Sequence, residues 1–549
     1  MLILLALLAC TDDKPDGGTD GGTDGGTDGG DGGTETPTTP VPTQQGCEDR
    51  HQPFLTALQA DLAGADALGV SAALMEDGVI TCRVALGQRR LDEEGSPDIE
   101  TLFQIGSTTK MFTSLALLQR IEDGELDLDR SLAEALPGSD FALDPDWNDQ
   151  ITMQHLMTHQ GGFYDYIDWT AADDDEDLAA FHQEIFFPNL WLMSPAGAFW
   201  NYSNPNFNLA GLVVEEADGR WYPDLMVEEV FGPLGMPRTM MRREQAEADG
   251  NYAEGRGYAL VLGQFQVGDV PMRQVVDPAS ARPAGASTWT TPTQMLEMAR
   301  FLMEGDDGVL RDDLRLAMTE AHVPLQLGPT QAAYGYGLFV SPGFTVIDDA
   351  YEVPLWDHGG NTLSYSSDFY VLPEQGFALS ILSSGYGVSM SNAIVTALQE
   401  LAGLPAPVEA PEWTVDPERL DRHVGVYEDV YNVGEMIITR QDDLLHIQMP
   451  LLESLGYTIQ EELEPLDSDL WLLYLDGVPY DLSFIGDEAE ASSTYVRNRA
   501  FVGTRSSSGF APPAEPGPTP LAGSLAERLW QGRYQPSPIQ RGQPRRVQP

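Results

Sequence analysis

Two strand–turn–strand patterns, far apart in the chain, set the strongest constraint on its fold. Val70 to Met75 and Val79 to Leu86 are apolar runs on either side of Asp77-Gly78, a favoured two-residue hairpin turn. Tyr365 to Leu372 and Phe377 to Ser383 repeat the pattern around Pro373-Glu374-Gln375-Gly376. The region from 140 to 350 reads mostly as helices and long loops, and a helical pattern from about Ser389 to Leu401 follows the second hairpin. This order predicts one α/β domain over residues 46–405. Its antiparallel sheet joins both ends of the segment, and helices and a helical subdomain flank that sheet.

Smaller signals fill in the frame. An amphipathic helix is expected from near Cys47 to about Leu68, and a third strand from Leu102 to Ile105. Met111, Phe112, Leu115, Leu118 and Ile121 then recur at helical steps, with Gly124 placed to end the helix. Thr291-Pro292-Thr293 opens another helix through Met303. Pro405-Ala406-Pro407 and Pro411 mark a linker. Beyond it, residues 412–505 alternate like six to eight antiparallel strands, a small all-β barrel or sandwich. The Ser-, Pro- and Gly-rich stretch 506–549 is expected to be a disordered tail with at most a short helix near Leu525 to Trp530.

Net charge is −57. Such a surface repels nucleic acid and anionic headgroups and speaks against a nucleic-acid-binding role. Residues 1–9 are wholly apolar and end at Cys10. The run is too short to span a bilayer and reads as a secretory signal, although the basic residues that ordinarily precede one are missing. Leu7-Leu8-Ala9-Cys10 resembles a bacterial lipobox, which makes Cys10 the expected lipidation site. The expectation is a lipid-anchored protein of the cell envelope, with plain secretion as the alternative. Residues 11–45 are low-complexity Gly, Asp and Thr sequence, expected to be a flexible tether. In an exported chain the remaining pair, Cys47 and Cys82, is expected to form a disulfide; two separate buried thiols are the alternative.

No cysteine spacing resembles a zinc site. Asp144, Asp146 and Asn148 lack the glycine and distant glutamate of a calcium loop. The run Asp173-Asp174-Asp175-Glu176-Asp177 reads as a solvated loop. Neither metal nor organic cofactor is expected.

Of 29 basic residues only Lys14 and Lys110 are lysine, and Lys14 lies in the leader. Arginine keeps its proton in a protein, whereas a desolvated lysine can lose it. Lys110 follows Ser107 by one helical turn, so a potential base stands beside a potential nucleophile. A serine three residues before a lysine is a weak signal alone. Three other stretches accompany it: Tyr202-Ser203-Asn204 before an apolar run, His358-Gly359-Gly360-Asn361 opening onto the late hairpin, and Leu156-Met157-Thr158-His159-Gln160-Gly161-Gly162.

In these motifs, their order and their spacings, residues 50 to 403 resemble the serine β-lactamase-like family of class C β-lactamases, DD-peptidases and related esterases. Asp127–Asp129 and Thr158-His159 look like structural stretches of the same family. The 412–505 segment is more weakly similar to the lipocalin-like extensions of some members. The resemblance implies Ser107 as nucleophile, Lys110 as its base and Tyr202 as proton relay. It implies that Asn204 contacts substrate and Lys110, and that the amides of Ser107 and Asn361 receive the oxyanion. His358, Gly359 and Gly360 would line the substrate strand. His358 stands where the β-lactamases carry lysine and supplies less fixed charge, which favours a peptidase or esterase.

The expected activity is acyl-enzyme hydrolysis of a peptide, ester or β-lactam substrate. The alternative is a slowly acylating sensor or scaffold, and oligomeric state is not legible.

Overall fold

The structure is a computed structural model. It describes residues 43–541 except 93–94, 140, 142–149, 262–263, 328–330, 348, 409–414, 488–490, 507–524, 535–536 and 538. The apolar leader with Cys10, the tether up to residue 42 and the Asp144–Asn148 group lie outside the described residues.

Both hairpins form, and they lie side by side. Gly69–Glu76 pairs with Val79–Gly87 on one edge and with Phe377–Ser383 on the other, which pairs in turn with Ser366–Leu372. The nine-stranded antiparallel sheet continues through Leu355–Asn361 and three short strands, Phe339–Ser341, Ala333–Tyr334 and Val323–Pro324. Thr43–Gln45 closes the opposite edge, beside the disulfide between Cys47 and Cys82.

Alternation along the central strands divides two cores. Val70, Ala72, Leu74, Leu379 and Ile381 face helices Gln52–Gly64 and Ser391–Leu401, through Phe54, Leu58, Ile394 and Leu398. Ala73, Met75, Ala378 and Leu382 face helices Lys110–Glu122 and Pro292–Glu304, through Met111, Phe112, Leu115, Met295 and Ala299. The helical subdomain, with helix Asn204–Asp218 at its centre, extends that second core.

After the linker, eight antiparallel strands run in the order Leu444–Gln448, Gly434–Gln441, Gly425–Asp429, Phe501–Arg505, Tyr495–Asn498, Val478–Ile485, Leu470–Leu475, Glu464–Pro465. Ile447 N–H donates to Glu461 O and Leu463 N–H to Leu445 O, bringing the two end strands together into a nearly closed barrel. Met436, Ile438, Leu445, Ile447, Trp471, Leu473 and Phe501 fill its interior.

One expectation holds with an addition, and two need correction. The region 140–350 is mostly helix and loop, as expected, and also holds the hairpin Gly255–Val261/Gln264–Val270 and the short strands that widen the main sheet. Strands of two or three residues are too short to show a period. The acidic run is not simply solvated, because Asp175 accepts hydrogen bonds from Arg242 (2.5 Å) and the buried Arg282 (2.5 Å). In the tail past 506 the short helix forms where expected, at Leu525–Trp530, but strand Ile539–Arg541, which pairs with Phe344–Val346, was not expected. A Ser- and Pro-rich composition hides an edge strand whose partner is distant in sequence.

Candidate active site

Ser107 lies in the 3-10 turn Gly106–Thr109, which leads directly into helix Lys110–Glu122. The turn is pressed against the strand Leu355–Asn361. A Cβ on Gly360 would fall 2.0 Å from Ile105 O and 2.9 Å from Ser107 N; on Gly106, at φ +55°, it would meet Asn361 N at 2.5 Å. Glycine at both positions lets the Ser107 amide and the late strand approach each other. Ser367 Oγ donates to Ile105 O (2.6 Å), and Thr108 Oγ1 donates to the same carbonyl (2.7 Å), fixing the turn to the sheet.

Lys110 points back along its helix to the serine and is fully buried. Its Nζ is 3.0 Å from Ser107 Oγ, 2.8 Å from Asn204 Oδ1 and 2.7 Å from Ala284 O. Burial holds its pKa well below the ordinary lysine range. Asp165 pulls it up and Arg499 pushes it down, both to smaller effect. Two of the three neighbours are carbonyl oxygens, which can only accept. In the neutral amine they take the two N–H groups, and the lone pair faces the serine hydroxyl.

Asn204 opens helix Asn204–Asp218, with Pro205 in its first turn. Its backbone N–H and its Nδ2 both donate to Asp165 Oδ1 (2.9 Å each), which turns its Oδ1 toward Lys110. Asn208, one turn on, accepts from Ala284 N–H (3.2 Å) and so places the other carbonyl. Tyr202 is nearly buried, its ring centre 5.0 Å from Lys110 Nζ. Burial raises its phenol pKa; the Arg499 guanidinium and a hydrogen bond with Ser107 oppose that rise. His159, at φ +56°, stacks on the Tyr202 ring at 4.2 Å and holds Ser203 O through Nδ1 (3.0 Å).

His358 is buried, and burial pushes its pKa down to about 3. Nδ1 lies 2.6 Å from Gly359 O and Nε2 lies 3.1 Å from the Tyr334 hydroxyl. A carbonyl only accepts, so the proton sits on Nδ1 and Nε2 accepts from Tyr334. The ring is thus neutral, with both nitrogens engaged inside the protein. On one edge of its strand, residues 356–361 pair with Ser366–Val371; on the other, Phe339–Ser341 covers only Leu355 to Asp357. The edge of Gly359 to Asn361 therefore opens onto a cleft of about 690 Å³ lined also by Ser107, Tyr202, Asn204 and Trp200.

The structure brings together Ser107, Lys110, Tyr202, Asn204, His358, Gly359 and Asn361 around that cleft, with Gly360 packed behind Ser107. Cys47 and Cys82 are far from it, bonded at the sheet edge. Asp165, Ala284, Arg499 and Arg541 were not legible as site residues. Arg499 comes from the barrel and Arg541 from the tail, where it makes a two-pronged ion pair with buried Asp357 beside His358. A lone charged residue carries no spacing signal of its own.

A sequence model of the beta-lactamase family matches residues 55–403, and the chain belongs to that family. It is 27% identical over 338 residues to penicillin-binding protein 4 of Amycolatopsis lactamdurans, covering 60% of this chain and 85% of that protein. It is 30% identical over 172 residues to a D-aminopeptidase of Cereibacter sphaeroides, covering 31% and 32%. The octameric penicillin-binding protein homologue from Pyrococcus abyssi shares the fold, with a TM-score of 0.55 and 22% identity over 80% of this chain and 97% of that one.

Proposed function

We propose that this protein is a serine hydrolase that cleaves an amide or ester through an acyl-enzyme on Ser107. The observation that carries the reading is the environment of Lys110. A buried amine 3.0 Å from the serine hydroxyl, with its other two neighbours both obligate acceptors, is arranged to be a base rather than a counter-charge.

In the first step Ser107 Oγ attacks the substrate carbonyl carbon and its proton passes to Lys110. The oxyanion lies against the Ser107 and Asn361 amides, which the glycines at 106 and 360 allow to converge. The leaving amine or alcohol takes a proton relayed through Tyr202, which lines the same cleft as Ser107. A water then loses its proton to the same relay, attacks the acyl carbon and frees the acid and Ser107. The substrate lies as an added strand along Gly359 to Asn361.

The neutral His358 supplies no cation at the position where the β-lactamases carry lysine, so any substrate carboxylate would have to meet an arginine of the cleft instead, which supports testing peptide amides and esters before β-lactams. A similar protein named as a D-aminopeptidase supports D-amino-acid amides as the first substrates to test. The Cys47–Cys82 disulfide supports action in an oxidising compartment, in keeping with an exported, Cys10-anchored chain.

The test is a hydrolysis screen of D- and L-amino-acid p-nitroanilides, p-nitrophenyl esters and nitrocefin with the full-length protein and Ser107→Ala. Turnover of an anilide or ester that vanishes in the variant is expected. Equal turnover by the variant contradicts the reading.

A further inference from the structure

We propose that Arg499, on a hairpin tip of the C-terminal barrel, is a positioning residue for the hydrolase site. Through Asp165 it fixes Asn204 against Lys110, and it offsets the negative charge that Asp165 presents to that amine. The inference rests on the reading of Lys110 as the base for Ser107.

Arg499 and Ala500 form the two-residue tip between Tyr495–Asn498 and Phe501–Arg505. The tip is held rigidly. Asn498 Oδ1 accepts from Ala500 N–H (2.9 Å), while its Nδ2 donates to Asp481 O (2.9 Å) and Gly532 O (2.8 Å). Next to it, Arg497 donates to Trp200 O (2.5 Å), tying the barrel to the loop that carries Tyr202. From this tip Arg499 Nε reaches Asp165 Oδ2 at 2.8 Å and its terminal nitrogen reaches the same oxygen at 2.5 Å. The Asp165 side chain is only 2% exposed. Its other oxygen takes both N–H groups of Asn204, whose own oxygen binds Lys110. One unbroken chain of polar contacts thus runs Arg499–Asp165–Asn204–Lys110–Ser107. The guanidinium also stacks 4.5 Å over the Tyr202 ring.

An unpaired carboxylate at Asp165 would favour the protonated amine of Lys110 and weaken the base. Among the described residues, Tyr202, His159 and His358 also interact with Lys110. Both imidazoles are pushed far below their ordinary range by burial, so neither is charged at neutral pH. Arg499 also acts electrostatically on Asp481 and Tyr386, which line the same cleft. The charge state of Lys110 is therefore governed by burial and by the Asp165–Arg499 pair, which act on it with opposite signs.

The test uses the full chain and a fluorophosphonate probe, whose reaction requires only an activated serine. Ser107 Oγ bonds to phosphorus, fluoride leaves, and the serine proton goes to Lys110. The labelling rate is measured from pH 5.5 to 10. Arg499→Gln should move the acidic limb to higher pH, so that its rate loss is at least about threefold greater at pH 6 than at pH 9. Asp165→Asn keeps an acceptor oxygen for Asn204 and should move the limb the opposite way. The double variant should return toward wild type, and Arg499→Lys should retain most of the wild-type profile. If every variant loses rate equally at all pH values, Arg499 only fastens the barrel to the hydrolase domain and the proposal is overturned. If Arg499→Gln does not fold, the Asp165→Asn limb decides alone: movement to lower pH supports the charge balance, and an unmoved limb overturns it. Labelling that persists in Ser107→Ala refutes instead the underlying assignment of the nucleophile.

Discussion

Lys110 is held by a serine hydroxyl and two carbonyl oxygens, with no carboxylate in ion-pair contact among the described residues. Burying a cation in that setting is unfavourable, and the amine responds by losing its proton. The sign follows directly. With Lys110 proposed as the base, activity is expected to fall as pH drops through its folded pKa, which lies well below the ordinary lysine range. Folding stability has the same direction. Between the folded and unfolded values only the unfolded chain binds the proton, so stability rises with pH there. Lys110→Arg keeps a cation but cannot release its proton. It should lower kcat/KM by at least about 100-fold, the low end for loss of a general base. Wild-type turnover in that variant would reduce Lys110 to a counter-charge. These residues were legible because Lys110 lies one helical turn from Ser107 and Asn204 two residues from Tyr202. Asp165 and Arg499 were not, because only tertiary folding makes them neighbours.

At the scale of elements, the site depends on a short turn pressed between a helix and a strand. The two hairpins were readable from their turns and apolar runs, and their meeting in one sheet follows from both needing cover. The strands Val323–Pro324, Ala333–Tyr334 and Phe339–Ser341 had no pattern to read, although they set where the strand edge beside His358 becomes open. The first hairpin is also stapled. Cys47 and Cys82 are separated by 35 positions, a loop for which cross-linking stabilises by about 3–4 kcal/mol through the unfolded state. Reduction should lower the denaturant midpoint accordingly. Because the bond lies away from the cleft, kcat at 25 °C should change little while the protein remains folded. An unchanged midpoint would show that the staple adds nothing beyond the sheet pairing.

At the scale of the molecule, the barrel and the tail both reach the cleft, and neither is an independent appendage in this structure. Arg499 comes from the barrel; Trp530 and Arg541 come from segments expected to be disordered or at most briefly helical. The tail's Ser-, Pro- and Gly-rich composition gave no sign of a structural role. Yet Arg541 neutralises Asp357, which is 2% exposed and adjacent to His358. Ending the chain at Arg505 would leave that carboxylate buried and unpaired. Loss of that ion pair alone costs about 2–3 kcal/mol, less than for a fully buried pair because Arg541 is itself 29% exposed. Arg541→Ala in the full chain should reproduce most of this loss in thermal or denaturant unfolding. Asp357→Asn combined with the truncation should recover part of it. A truncated protein as stable as the full chain would show that the tail merely rests on the sheet.

The central claim is that one hydroxyl, on Ser107, becomes acylated with Lys110 as its base. The direct measurement is peptide mapping by mass spectrometry of the full-length protein after rapid acid quench with an activated ester. The account predicts a single acyl adduct on the peptide carrying Ser107, absent from Ser107→Ala and slowed at least about 100-fold in Lys110→Arg. An adduct at another residue, or turnover with Ser107 never modified, would contradict it.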